Sequence, residues 1–224
     1  MSTSALSAPA RRARPIALAH VGASHLAGLL LFSGGALLFM TIITAEALYP
    51  AAYSTGGNEI SDLGSTREGL VLQPSATIFN VGMMLSGLSV AVGSLFVHRS
   101  TGRWSVSLPI AVLGLSALTV GIFPGNTGTP HALAAMIAFI SGGIAAVSAS
   151  RVADAPFRYA LALLGLMNLV SLAAYFTLGD ANPFWALGVG GAERWVAYPI
   201  ILWLMGFGGY LAGRAGEARP QPTT

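Results

Sequence analysis

Eight polar side chains stand out in a chain that is 54% hydrophobic and only 8% charged: Asn58, Glu59, Ser61, Asp62, Asn80, His131, Glu193 and Arg194. They lie in, or at the edges of, three connections between long apolar runs, so helices of suitable direction would gather them at one end of a bundle. Asp62, His131 and Glu193 are the candidate catalytic groups. Thr129 reads as an N-cap and Pro130 as the first helical residue, which puts His131 in the first turn of a helix. The positive end of the helix dipole disfavours imidazolium there and leaves a neutral ring able to take a proton or ligate a metal. Asp62 would orient that ring, with Ser61 beside it as a nucleophile. Glu193 would act as acid or base, and Arg194 offers a planar fork for phosphate or carboxylate. Asn58, Glu59, Ser61, Asn80 and Arg194 are the candidate substrate-binding groups.

Each residue also has a plainer explanation. Asp62, ahead of Leu63-Gly64, suits an Asx turn or a helix cap. His131 suits a capping or interface position. Glu193 and Arg194 suit an exposed ion pair of about 0–1 kcal/mol. Arg194 could instead bind Asp62 and pin the first loop to the sixth apolar run. Asn80 and Asn168 need hydrogen-bond partners inside apolar runs, and interhelical bonds would supply them. Glu46 falls in the last turn of the first run, at the wrong end of the helix dipole, and requires a partner. Arg194 and His131 are the candidates.

No phosphate loop, dinucleotide fingerprint, Gly-x-Ser-x-Gly elbow or His-Glu-x-x-His motif is present. The chain has no cysteine, hence no disulfide and no thiolate ligand. No cofactor is evident. A metal ion has weak support, since His20, His25 and His98 fall at the opposite ends of the runs and His131 alone joins the carboxylates. One imidazole with Asp62, Glu59 or Glu193 suits a harder ion better than zinc.

The elements that must position these groups are apolar helices. The runs are Val21–Ala45, Ala76–Val97, Trp104–Phe123, Ala132–Val147, Tyr159–Leu178 and Val196–Gly213. About 20 residues at about 1.5 Å each cross a hydrocarbon core of about 30 Å. The fourth run is the shortest and must extend into Pro130–His131 or Ser148–Ser150. Continuous rather than alternating apolarity selects helices over a barrel. The expected fold is an all-α, polytopic membrane bundle of six helices. Its spans fall at about 21–46, 75–98, 104–123, 131–150, 158–178 and 195–213, within a domain 21–214 flanked by an arm 1–20 and a tail 215–224. The arm is rich in arginine and poor in acid, like a transit peptide, but the first run is too long for a cleaved signal core and is expected to stay.

Charge sets the orientation. Arg11, Arg12, Arg14, Arg99, Arg103, Arg151, Arg158, Arg214 and Arg219 share one side with two acids, Asp154 and Glu217. The other side holds Arg67 and Arg194 against Glu46, Glu59, Asp62, Glu68, Asp180 and Glu193. Positive-inside bias makes the first side cytoplasmic, with both termini there, and the polar cluster external. The surplus of arginine then faces anionic lipid, and nothing suggests nucleic acid. The expected location is a cell membrane, multi-pass, of the bacterial inner-membrane type. Membrane lipids are the expected partners. Gly209 and Gly213, four apart, also offer a small-residue face for intramolecular packing or a homo-oligomer.

The segment Tyr49-Pro50 … Asn58-Glu59-Ile60-Ser61-Asp62-Leu63-Gly64, with Phe79-Asn80 beyond it, resembles the signature of a bacterial and archaeal family of six-helix membrane proteins of unknown function. Phe123-Pro124 with His131, and Gly191-Ala192-Glu193-Arg194 leading to Tyr198-Pro199, are similar to its later motifs. The resemblance spans about residues 22–212 and implies a fold and a polar outer site, but no activity. Three functions remain open. The first is binding or processing of a lipid or lipid-linked substrate at the outer face. The second is a non-enzymatic sensory or assembly module whose outer residues are structural. A transporter is disfavoured because helices three to six lack charge in their middle thirds.

Overall fold

The computed structural model describes residues 15–66 and 68–217. Arg11, Arg12, Arg14, Arg67 and Arg219 therefore lie outside the described residues, as do most of the arm and the end of the tail. Six long helices build the fold: α1 (Pro15–Ala47), α2 (Ser75–Thr101), α3 (Trp104–Ile122), α4 (Thr129–Ala149), α5 (Phe157–Thr177) and α6 (Gly188–Glu217). Six spans long and apolar enough to cross a membrane run through them, and no strand occurs among the described residues. The outward faces carry Leu85, Leu95, Leu115, Leu163, Val170 and Leu202, so the surface is as apolar as a bilayer requires.

Helices adjacent in sequence pack side by side, and α6 returns against α1 to close a ring. The alternation of direction puts three connections, two of them long, at one end, here the loop-rich end. The α2–α3 and α4–α5 links, with Arg99, Arg103, Arg151 and Arg158, lie at the other. The α2–α3 turn is made by Gly102, whose φ of +66° lets its N–H close back on His98 O at 2.8 Å.

Three helix starts differ from the sequence reading, the first being α1, which begins at Pro15 within the expected arm rather than at about residue 21. Thr129 is the first residue of α4 rather than its cap; Gly128, at φ +69°, occupies the cap position, and His131 still falls in the first turn. The sixth span was expected from residue 195, yet α6 begins at Gly188. The intervening Gly-Val-Gly-Gly-Ala-Glu-Arg stretch is too polar and glycine-rich to read as a span. Tertiary contact makes it helical: Gly190 N donates to Gly56 O at 2.9 Å, and a side chain at Gly190 would collide with the Asn58 carbonyl. Glu193 and Arg194 are consequently helical residues, more than one turn inside α6.

Lipid provides no hydrophobic gain between helices, so packing rests on close approach and polar bonds. A Cβ at Gly87 of α2 would stand 2.3 Å from Leu118 N of α3, and one at Gly28 of α1 would stand 2.5 Å from Ala212 N of α6. Ser86 and Ser89 donate to Gly34 O and Leu30 O of α1, at 2.6 and 2.8 Å. Asn168 is fully buried on α5 and donates to Val196 O of α6 at 2.8 Å, the interhelical bond its position demanded. Gly209 and Gly213 meet nothing within 4 Å and face outward.

The interior is uneven along its length. Toward the arginine-rich end Leu31, Val97, Val106, Ile110, Leu161, Trp203 and Phe207 form a core with almost no exposure. Toward the loop-rich end a smaller cluster of Ile42, Ile60, Leu63, Phe79 and Ile201 lies under the first loop. Overpacking at a tight contact costs about 1–3 kcal/mol. Gly87→Leu should therefore lower the melting temperature in detergent clearly, whereas Gly209→Leu should leave it nearly unchanged; equal effects would contradict the packing described.

Candidate functional site

Arg194 organises the loop-rich end. Its side chain is buried and its two terminal nitrogens reach five acceptors. Nη1 donates to Thr55 O, Asn58 O and Gly190 O at 2.8, 3.0 and 3.0 Å. Nη2 donates to Tyr53 Oη at 2.7 Å and pairs with Glu46 Oε1 at 2.5 Å. The carboxylate at the unfavourable end of α1 thus finds Arg194, one of the two partners its position suggested. Arg194 does pin the first loop to α6, but through Glu46 and backbone carbonyls rather than through Asp62. Burial raises the Tyr53 phenol above its ordinary value, against the lowering pull of Arg194. Tyr53 therefore stays a neutral donor and gives its proton to Glu59 O at 3.1 Å.

Asp62 is engaged locally. Its Oδ2 accepts from Glu59 N at 3.0 Å and lies 3.5 Å from Asn58 Nδ2, capping the one-turn 3-10 helix Ile60–Leu63. The ring of His131 is held instead by a backbone oxygen: Nδ1 lies 2.8 Å from Phe123 O. A carbonyl only accepts, so Nδ1 carries the hydrogen and Nε2 keeps the lone pair in the neutral ring. Asn80 donates to Gly64 O at 3.3 Å and Ser75 to Leu63 O at 3.1 Å, fastening the far side of the turn to α2.

The turn Ile60–Leu63 roofs two adjoining cavities. One, of about 90 Å³, runs down between α1, α2, α3, α4 and α6 and is walled by Ile42, Phe79, Val120, Phe139, Ile200 and Ile201. The other, of about 460 Å³, opens beside it between α4, α5 and the loops, with Glu59, Ser61, Ser65, His131, Tyr175 and Glu193 in its lining. Ser61, His131, Ala135, Phe139 and Glu193 line both. The eight candidates therefore divide. Glu59, Ser61, His131 and Glu193 reach cavity walls, while Asn58, Asp62, Asn80 and Arg194 hold the roof and line neither.

Glu193 links roof and cavity, because its Oε2 accepts from Ile60 N. Glu59 Oε1 accepts from Tyr175 Oη at 3.1 Å, tying the roof to α5. Tyr175 and Ser65 escaped the sequence reading. The only signal for Tyr175 was a phenol in the last turn of an apolar run, on the side of the carboxylates. Chemically the site offers a carboxylate, an imidazole nitrogen, a hydroxyl and a phenol at the junction of a polar and an apolar compartment. Among the described residues, no three His, Asp or Glu side chains group to hold a metal.

Removing one partner of a buried pair leaves the other charge uncompensated, at a cost of about 3–5 kcal/mol. Arg194→Ala should therefore destabilise strongly. In double-mutant cycles Arg194 should couple to Glu46 by about 0.5–3 kcal/mol and to Asp62 by less. A cycle ranking Asp62 first would overturn the assignment.

No curated protein and no solved structure matches the chain. Residues 33–210, from within α1 to within α6, match the family described as protein of unknown function (DUF998). The match reaches into all six apolar helices and includes every residue of the site just described, and the chain belongs to that family of unknown function, DUF998.

Proposed function

We propose that this integral membrane protein binds an amphiphile, a lipid or lipid-linked molecule, with its polar end among Glu59, Ser61, His131, Tyr175 and Glu193 and its chain in the apolar cavity. One observation carries the reading: a polar and an apolar compartment meet at Ser61, His131 and Glu193. The compartment beside Tyr175, at about 460 Å³, falls in the range of about 300–1,000 Å³ usual for small-molecule sites. Positive-inside bias puts the site at the outer leaflet of a cell membrane of the bacterial inner-membrane type. Glu193 and His131 are the pair positioned to exchange protons with a bound ligand. Holding the ligand is favoured over turning it over, because Asp62 caps its own turn and does not orient the imidazole.

Ala135 lines both compartments, so a large side chain there should close the junction. Protein purified in a mild non-ionic detergent should retain a defined lipid, identified by mass spectrometry of the extract. Ala135→Trp should lose most of it with little change in melting temperature. Equal retention by the two proteins would defeat the reading.

The orientation has its own test, helped by the absence of native cysteine. A membrane-impermeant maleimide applied to intact cells should label Thr127→Cys at the loop-rich end and spare Ala155→Cys at the other. The reverse pattern would place the site on the cytoplasmic side.

A further inference from the structure

The helices that flank the larger compartment diverge toward the loop-rich end. α4 and α5 reach backbone contact near their middles: a Cβ at Gly165 of α5 would stand 2.8 Å from Gly143 O and 2.9 Å from Val147 N of α4, and one at Gly143 would collide with the Asn168 amide. Beyond that point the compartment separates them, with Met136 on its α4 wall and Leu172 on its α5 wall. Gly165 lies twelve residues before the end of α5 at Thr177, so the cleft descends about 18 Å at about 1.5 Å per residue. That depth is close to one leaflet, half of a hydrocarbon core of about 30 Å. Ala132 and Phe176 line the compartment and are also exposed, Phe176 by 61%, so they stand at its rim.

On the loop side the same space meets the Ile60–Leu63 turn, which hydrogen bonds fasten to α2, α5 and α6. Lifting the turn requires several of these bonds to break together, whereas the lipid side is bounded by apolar side chains that need only change rotamer. The chain of an amphiphile adds its own bias. Each methylene drawn from lipid into water slows transfer about fourfold. A chain sliding between α4 and α5 stays in apolar surroundings as far as Phe139, which lines both the compartment and the narrow cavity beyond it. Resting on the amphiphile reading above, we infer that the ligand is a lipid resident in the leaflet on the loop-rich side. It is taken up sideways between the loop-side halves of α4 and α5, past Ala132 and Phe176, rather than delivered from water.

The test measures how fast retained lipid exchanges with a bilayer. Cells grown on isotopically labelled carbon yield the full chain with its retained lipid labelled, whatever that lipid is. The chain is then placed in vesicles of unlabelled polar lipid from the same host, and loss of label from re-isolated protein is followed by mass spectrometry. Ala132→Trp, which narrows the rim, should slow exchange about tenfold, for which about 1.4 kcal/mol on the barrier suffices. Phe176→Ala, which widens it, should speed exchange, and both variants should hold as much lipid as the unaltered chain. Ser75→Ala removes one bond of the roof and should leave the rate unchanged. If Ala132→Trp does not fold, Phe176→Ala at its exposed position decides. A rate that rises with Ser75→Ala and ignores the rim variants, or one rate shared by every variant, overturns sideways entry while the site stands. If the unaltered chain carries no labelled lipid, or Ala135→Trp carries as much as it does, the amphiphile reading fails and the route with it.

Discussion

A guanidinium taken out of water must be repaid at the spot, because desolvating an ion costs several kcal/mol even in a relaxed protein interior. Arg194 meets that demand with a carboxylate from α1, a phenol and two carbonyls from the first loop, and a carbonyl from its own helix. None of these elements can shift without stranding a charge. The first loop, which by length would be free to wander, is thereby fixed over the bundle. The close approach of Gly190 to the Asn58 carbonyl follows from the same clamp, since any larger residue would hold the loop away.

A fixed roof explains the uneven interior. At the arginine-rich end the helices approach until Trp203, Phe207 and Leu161 are sealed. At the other end the turn Ile60–Leu63 sits across the helix ends, tied to α2 through Asn80 and Ser75, to α5 through Glu59 and to α6 through Glu193. Space beneath it remains open because the roof is braced from several sides rather than packed downward. The same bracing places a carboxylate and an imidazole where the apolar and polar spaces meet. Neighbours in sequence face opposite ways, with Arg194 holding the roof and Glu193 lining the cavity.

The six helices were legible because each needs an uninterrupted apolar run, and lipid tolerates little else. Asn168 was legible for the related reason that a buried amide in such a run must find a partner. So was the need of Glu46 for a cation, which its place at a helix carboxyl end dictates. Asp62 was harder: a carboxylate can cap its own turn or reach across space, and local geometry won. The start of α6 was hidden by its glycines, which lower apolarity and helix propensity alike, while the contact that makes them helical comes from a loop about 130 residues earlier. The cavities left no trace in the pattern, since voids belong to the packing of six helices together. Tyr175 acquires meaning only beside Glu59.

The most direct test is an experimental structure of the full chain in lipid nanodiscs. A roof held by Arg194 over an amphiphile site predicts Arg194 paired with Glu46, the Ile60–Leu63 turn seated above the bundle, and elongated density passing between His131 and Glu193 into the space beside Ile42 and Ile201. A structure in which Arg194 is parted from Glu46, or in which side chains fill that space and leave no room for a chain, would contradict it.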